Sequence, residues 1–408
     1  MKVTGPLGKV IGITDDWKIV EQKVANNGTT TYYIRFIGRT VCPECGRPCP
    51  KKDSVEVSWS AGDMCGFPVI ISGKVPRARC PEHGIRTIDV AFASNIARVT
   101  GSLERKVAFE SMRSTFTSVA SKYHLNTNTV IRIATHWARK LEDGLDLSHT
   151  TSFLIDEKSY KSGHRYITFI VDPGSGATLF GTEGRSCDTL EEFFGFMLMH
   201  GGDPFKVRFV CADMSPAFAK GIREWFPNAT LIIDPYHLFD LISRNIDKIR
   251  RRIGLKSSLG KGARTLLQTN HVNLEPGRKG EPVELLTGYK ELGELYILKE
   301  LLRDLYVWMR PTDAELMFGI IISFCDDSGY RSVRSMGRVL RKHKEGILAW
   351  HLCPLNNGPI EGRNSVTQSM INAARGYRNP ANLISLVYLR SMWKHPSLCR
   401  YNPYSTII

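Results

Sequence analysis

Downstream of residue 150, apolar runs of strand length alternate with amphipathic segments of helical length. FLIDEK (153–158), RYITFIVD (165–172) and ATLFGTEG (177–184) read as strands, and PGSG between the last two is a hairpin signal. DTLEEFFGFMLMHGG (188–202) predicts an amphipathic helix closed by glycines. VRFVCAD (207–213) predicts a strand, and SPAFAKGIREWF (215–226) a helix with Ser215 as N-cap and Pro216 at its first position. TLIID (230–234) is a further strand, and Asp234-Pro235 repeats the cap signal ahead of a long basic helix.

Three strands, helix, strand, helix, strand, helix describes a mixed sheet with helices packed on it, the order of ribonuclease-H-like domains. Residues 266–345 interrupt it with a polar loop (NLEPGRKGEPVE) and mostly helical sequence. Upstream, TTTYYIRFIG (29–38) is rich in β-branched and aromatic residues and reads as strand, and 103–141 reads as helix with an internal break. The expected fold is therefore a multidomain α/β protein: a zinc-binding β domain (1–95), a helix-turn-helix (96–147), a ribonuclease-H-like core (148–265 and 346–408, the latter with a C-terminal helix) and a helical insertion (266–345).

At 408 residues the chain is too long for one core, and 42% hydrophobic with 23% charged residues is a globular balance. A net charge of +15 points to a polyanionic partner and excludes nothing finer. The N-terminal residues lack the apolar segment of a signal peptide, and LMFGIIISF (316–324) is too short for a membrane span, so a cytoplasmic protein with no membrane partner is expected.

Five of the ten cysteines precede residue 81. Cys42-Pro-Glu-Cys45-Gly and Cys80-Pro-Glu-His83-Gly are two copies of a knuckle turn. Four such ligands suit a closed, tetrahedral, structural Zn²⁺ site, with Cys49 and Cys65 as alternative ligands.

TFTSVASKYHLNTNTVIRIATHWARK (115–140) fits a helix-turn-helix. Val119, Ala120 and Tyr123 form one apolar face; Asn126 or Thr127 caps a second helix whose Val130, Ile131 and Ile133 pack inward. Asn128, Thr129 and Arg132 are then left for a DNA groove. An ordinary helical hairpin is the alternative.

Three carboxylates carry the candidate chemistry. Asp156 and Asp213 end apolar strands, and Glu361 follows the turn Asn356-Asn357-Gly358-Pro359. Converging, they would hold two Mg²⁺ (or Mn²⁺) ions for phosphodiester chemistry. Glu157 faces the other side of the sheet from Asp156, and Asp172 reads as a turn cap. Ser215 is expected to relieve Asp213 of capping. Asp234 is either an N-cap or a supporting carboxylate, and His237 either orients a ligand or is structural. Lys248, Arg250, Arg251 and Arg252 form a candidate DNA-backbone track, and Arg363 and Arg375 share the segment of Glu361.

The stretches DEKSYKSGHRYITFIVD, CADMSPAFAKGIREWFPNATLIIDPYHLF and NNGPIEGRNSVTQSMINAARGYRN together resemble the three blocks of bacterial insertion-sequence transposases of the ISL-three family. The resemblance implies a DDE transposase in which Asp156, Asp213 and Glu361 fall on the acidic triad, and Asp234 and His237 on a block with Tyr236 at the aromatic position. It implies binding of terminal inverted repeats in double-stranded DNA, end cleavage, joining of the 3′-hydroxyl ends, a homodimer or larger assembly on DNA, and association with the bacterial nucleoid. Val366, Thr367 and Gln368 stand where relatives commonly carry lysines. The rival reading is a sequence-specific DNA-binding regulator with a non-catalytic core.

Overall fold

The structure is a computed structural model that describes Gly8 and residues 11–253, 266–278, 287–308, 310–355 and 358–393. The chain divides into two compact units, Met1–Gly144 with Gln368–Ile408, and Leu145–Thr367. Among the described residues no helix is long and apolar enough to cross a membrane.

The first unit opens with five strands: β1 (Trp17–Val24), β2 (Thr30–Phe36), β3 (Lys51–Met64), β4 (Phe67–Cys80) and β5 (Gly84–Thr87). The sheet is mixed, in the order β1-β2-β4-β3 with β5 also on β4; only β2 and β4 pair in parallel. The long β3–β4 hairpin turns on Cys65 (φ 53°) and Gly66 (φ 86°). Two successive positive φ values are the signature of the tight turn whose twist matches a hairpin. One sheet face buries Trp17, Trp59, Ile71 and Val75, and Phe92 sits edge-on to both tryptophans at 5.9 and 5.3 Å.

Three helices follow: α1 (Gly101–Ser111), α2 (Phe116–Lys122) and α3 (Thr127–Asp143). Each begins where a side-chain oxygen takes an otherwise orphaned N–H: Thr100 accepts from Leu103, Thr115 from Ser118, and Asn126 from Asn128 at 2.8 Å. Val119, Ala120, Tyr123, Val130 and Ile133 are buried as expected, whereas Ile131 is only half-buried. A step of one residue turns a side chain about 100° around a helix, so Ile131 cannot share the face of both Val130 and Ile133. Trp137 extends the buried stripe and donates its indole N–H to the buried Glu104 at 2.8 Å. The last helix among the described residues, Pro380–Trp393, packs on α3, and Arg390 donates to the Met112 carbonyl at 3.2 Å.

The second unit is built on β6 (Ser152–Lys161), β7 (Arg165–Val171), β8 (Thr178–Glu183), β9 (Phe209–Ala212) and β10 (Thr230–Ile233), in the order β10-β9-β6-β7-β8. The β6-β7-β8 meander is antiparallel, and β9 and β10 run parallel to β6. Asp172 closes the β7–β8 turn as expected, accepting from the Ser175 backbone at 2.6 Å and its hydroxyl at 2.7 Å.

Helices α4 (Asp188–Met199), α5 (Pro216–Trp225) and α6 (Pro235–Arg252) follow the strands in the expected order. Phe153, near the start of the central strand β6, meets Phe193 and Phe226 edge-on at 5.0 Å each. Ile233 instead enters a second core with Leu238, Ile242 and Ile246 of α6 and the helices α7 (Lys290–Trp308), α8 (Pro311–Asp327), α9 (Arg331–Lys342) and α10 (Lys344–Ala349). Two buried layers explain why these strands read as unbroken apolar runs rather than alternating ones. Helix α11 (Gly358–Ala373) begins in this unit, and Pro380–Trp393 above is α12.

Candidate functional site

The cysteine-rich segment forms a compact cluster. The ligand atoms of Cys42, Cys45, Cys80 and His83 all lie within 4.8 Å of one another, and among the described residues no other group of three or more His, Cys, Asp or Glu does so. A tetrahedral zinc ion with Zn–S of about 2.3 Å spaces sulfurs about 3.8 Å apart and sulfur from nitrogen about 3.6 Å. The structure has Cys45 Sγ–Cys80 Sγ at 3.7 Å, Cys80 Sγ–His83 Nδ1 at 3.5 Å and Cys42 Sγ–His83 Nδ1 at 3.7 Å. The residues therefore fit the ion.

The two knuckles are locally alike. Gly46 (φ 70°) and Gly84 (φ 68°) follow the second ligand of each turn in the left-handed conformation. Their glutamates serve the opposite knuckle's arginine: Glu82 pairs with Arg47 at 2.5 Å, and Glu44 with Arg86. Glu44 also stands 3.5 Å from His83 Nε2, where a carboxylate fixes the ring so that Nδ1 faces the thiols. The His83 backbone N–H is the main cause that brings the Cys80 thiol down to about 6, toward the thiolate a metal needs. Cys65 lies exposed at the hairpin tip, outside this cluster, and Cys49 is buried beside it without belonging to the four.

In the second unit, strand pairing gathers the candidate aspartates. The β6–β9 register ends at Leu154↔Cys211 and the β9–β10 register at Ala212↔Ile233. Asp156 and Asp213 each lie two residues past the first pair, and Asp213 and Asp234 one residue past the second. Asp213 and Asp234 thus follow the carboxyl ends of the parallel strands β9 and β10, the usual place for a ligand in an open α/β sheet. Asp156, expected to end its strand, instead stands midway along β6, which runs on to Lys161 in its pairing with β7, just past the end of the parallel β6–β9 register.

The side chains are held differently. Asp156 is 11% exposed, accepts from the Asn364 amide, and faces His237 Nε2 at 3.8 Å. Burial raises its pKa despite the opposing effects of His237 and Asn364. Asp234 is buried, caps α6 by accepting from Tyr236 N at 3.3 Å, and lies 3.7 Å from His237 Nε2. His237 therefore bridges Asp156 and Asp234. The expectation that Ser215 relieves Asp213 of capping is corrected: the Ser215 side chain makes no cap bond, and Asp213 Oδ1 accepts from the Ser215 N–H at 2.9 Å. The contact is a local turn in which an aspartate oxygen accepts from the backbone two residues on.

Two residues stand out that sequence reasoning set aside or passed over. Glu157 has its pKa raised by burial and then by the charge of Asp213, with Arg185 opposing. Its Oε2 is buried without a hydrogen-bond partner among the described residues. Asn364 reaches Asp156 from 208 residues away, on the helix that carries Glu361 one turn earlier. The only sequence signal for it was that spacing. Glu361 and Arg363 lie in α11, but their side chains fall outside the described residues.

Of the candidate DNA contacts, Asn128 and Arg132 are exposed on α3, and Thr129 is half-exposed. Lys248 and Arg375 are exposed. Three arginines of the basic helix are engaged within the protein: Arg250 and Arg251 pair with Asp247 at 2.6 and 2.7 Å, and Arg252 with Glu291.

Residues 153–387 match a family model described as transposase, of the ISL-three type. The chain belongs to this transposase family. Residues 38–83 match a second model, the zinc-finger of the transposases of IS204, IS1001, IS1096 and IS1165, and enclose all four clustered ligands. The chain is 26% identical over 363 residues to the transposase for insertion sequence element IS1001 of Bordetella parapertussis, covering 86% of this chain and 89% of the relative. It is 24% identical over 389 residues to the transposase for IS1557 of Mycobacterium tuberculosis, covering 88% and 87%. The transposase thus carries a zinc ribbon in its first unit and a mixed α/β second unit, and its family acts on DNA.

Proposed function

We propose that this transposase is a DDE enzyme whose ribonuclease-H-like core, split by the helical insertion 266–345, cleaves the ends of its insertion sequence and joins the freed 3′-hydroxyls to DNA. The observation that carries the reading is that Asp213 and Asp234 follow the carboxyl ends of the parallel strands β9 and β10 while Asp156 stands on the adjoining strand β6 just past the end of its parallel pairing with β9. The partnerless buried oxygen of Glu157 and the raised pKa of Asp156 describe a site rich in negative charge and poor in compensation, which suits divalent cations.

Asp156, Asp213 and Glu361 would hold two Mg²⁺ or Mn²⁺ ions. Such ions, when bound, polarise the scissile phosphate and the attacking oxygen. Asn364 and His237 keep the Asp156 carboxylate in one orientation, and the buried Asp234 fixes His237. Hydrolysis and strand joining are both in-line displacements at phosphorus, so one set of residues serves both.

The zinc ribbon (1–95) and α2–α3, read as a helix-turn-helix within 96–147, would bind the terminal inverted repeats, with Asn128, Thr129 and Arg132 toward the bases. The exposed Lys248 and Arg375, with Arg363, would follow the backbone. Two ends must be processed, so a homodimer or larger assembly works on DNA, in the cytoplasm at the nucleoid.

Nicking of duplexes bearing the element's end, in Mg²⁺, tests the reading. Asp156→Asn and Asp213→Asn should abolish nicking and leave end binding unchanged. Retained nicking rejects the assignment, and end binding by a wild-type protein that never nicks favours a DNA-binding regulator.

A further inference from the structure

We propose that a cavity beside Asp213 takes a single unpaired nucleotide of the DNA strand being processed. The inference rests on the reading of Asp213 given above and goes further, to how the strand is seated. The cavity measures about 520 Å³ and lies among the end of β9, α5, β10 and the α9–α10 junction. That volume is within the roughly 300–1,000 Å³ of small-ligand clefts and far too small for a duplex. A nucleotide enters such a space only when it leaves its stack.

The lining is graded. Ile222 and Ile233 are buried and Leu231 is half-buried, so the deep part is apolar and suits the flat face of a base. Arg223 and Lys342 are exposed at the outer part, where a phosphate would remain. The neighbours of Lys342 are already engaged: Arg341 pairs with Asp326 at 2.5 Å, and Lys344 with Glu315 at 2.8 Å. Among the described residues neither Lys342 nor Arg223 has an ion-pair partner within 4.0 Å. Glu345 also lines the cavity, so the two cations leave one net positive charge once Asp213 is assigned to the cation site. His343, half-buried between these groups, offers a ring nitrogen to a base edge.

The position of the cavity decides the ligand. Asp213 is itself part of the lining, so whatever fills the cavity touches the proposed centre of phosphodiester chemistry. A nucleotide next to the scissile phosphate meets all three demands at once: a base for the apolar interior, a phosphate for Arg223 and Lys342, and continuity with the strand at Asp213. Drawing it out of the stack would also fix the register of the strand at the cleavage point.

The test uses the full-length protein and duplexes bearing the element's end, with 2-aminopurine placed at one position at a time across the junction. Ca²⁺ replaces Mg²⁺ so that binding is read before cleavage. One position should brighten several-fold on binding, as an unstacked base does. That brightening should be lost in the Arg223→Ala/Lys342→Ala double variant, which alters only exposed side chains, and in Ala219→Phe, which fills the cavity. If no position brightens, or if brightening survives in both variants, the proposal is overturned. Wild-type protein that nicks in Mg²⁺ yet brightens no position overturns the pocket alone. Failure to nick overturns the carboxylate reading and the pocket with it.

Discussion

Removing the zinc ion should unfold the sheet of the first unit rather than loosen a surface loop. Cys42 and Cys80 are buried at 0% and 3% exposure and belong to the same core as Trp17, Trp59 and Ile71. Structural zinc in small domains is worth about 10–16 kcal/mol, against total domain stabilities of about 5–15 kcal/mol. The ion's contribution is thus as large as the stability it supports. Chelation, or Cys45→Ala, should therefore release the metal, expose Trp17 and Trp59 with a red shift of their emission, and abolish end binding. His83→Cys should keep one zinc per chain, because four thiolates are also a zinc set. Glu44→Gln should keep the fold but weaken zinc about 10–100-fold, since Glu44 orients His83 without touching the metal. Zinc content by a colorimetric chelator, read beside tryptophan emission, separates these cases. Purified protein that lacks zinc yet melts cooperatively, unchanged by added Zn²⁺, would refute the reasoning.

Other substitutions probe the second unit and the helices of the first. Phe153→Ala removes a fully buried ring stacked edge-on against two others and should cost about 3–5 kcal/mol in denaturant unfolding. Gly337→Ala should destabilise the α8–α9 contact by about 1–3 kcal/mol, because the new methyl would stand 2.6 Å from Cys325 Cβ; a melting point equal to wild type would contradict this. Burial raises the pKa of Glu142, reinforced by Asp143 and opposed by Arg139. A carboxyl whose folded pKa lies above its unfolded one contributes fully below the unfolded value and loses that contribution as pH rises through the folded one. Glu142→Gln should therefore stabilise the protein more at pH 7 than at pH 4 in paired thermal melts.

The order of strands and helices after residue 150 was legible because each strand is a short β-branched run bounded by glycine, proline or a capping residue. The zinc ligands were legible for a related reason: chelation by two local turns needs only local spacing, and Cys42, Cys45, Cys80 and His83 carry it twice. The helix stripes of Val119, Ala120, Val130 and Ile133 could be read from periodicity, although the single-residue step to Ile131 was misread.

What remained hidden depended on where distant pieces of chain meet. That Asn364 holds Asp156, and that His237 stands between Asp156 and Asp234, follow from packing. Sequence could not show that Asp213 spends one oxygen on the Ser215 N–H, because Asp and Ser are about equally good capping residues by type. The pairing of Asp247 with Arg250 and Arg251, three and four residues on, is local helix spacing, but sequence could not show that Glu291 occupies Arg252, since charge counted along the chain ignores what lies across from it. Hydrophobic period and local chelation are properties of neighbouring residues, so the sequence alone determined them. The placing of His237 beside Asp156 and Asp234, the cavity beside Asp213 and the seating of α12 on α3 come from side chains far apart in the chain competing for the same space. Only the tertiary structure decides that competition.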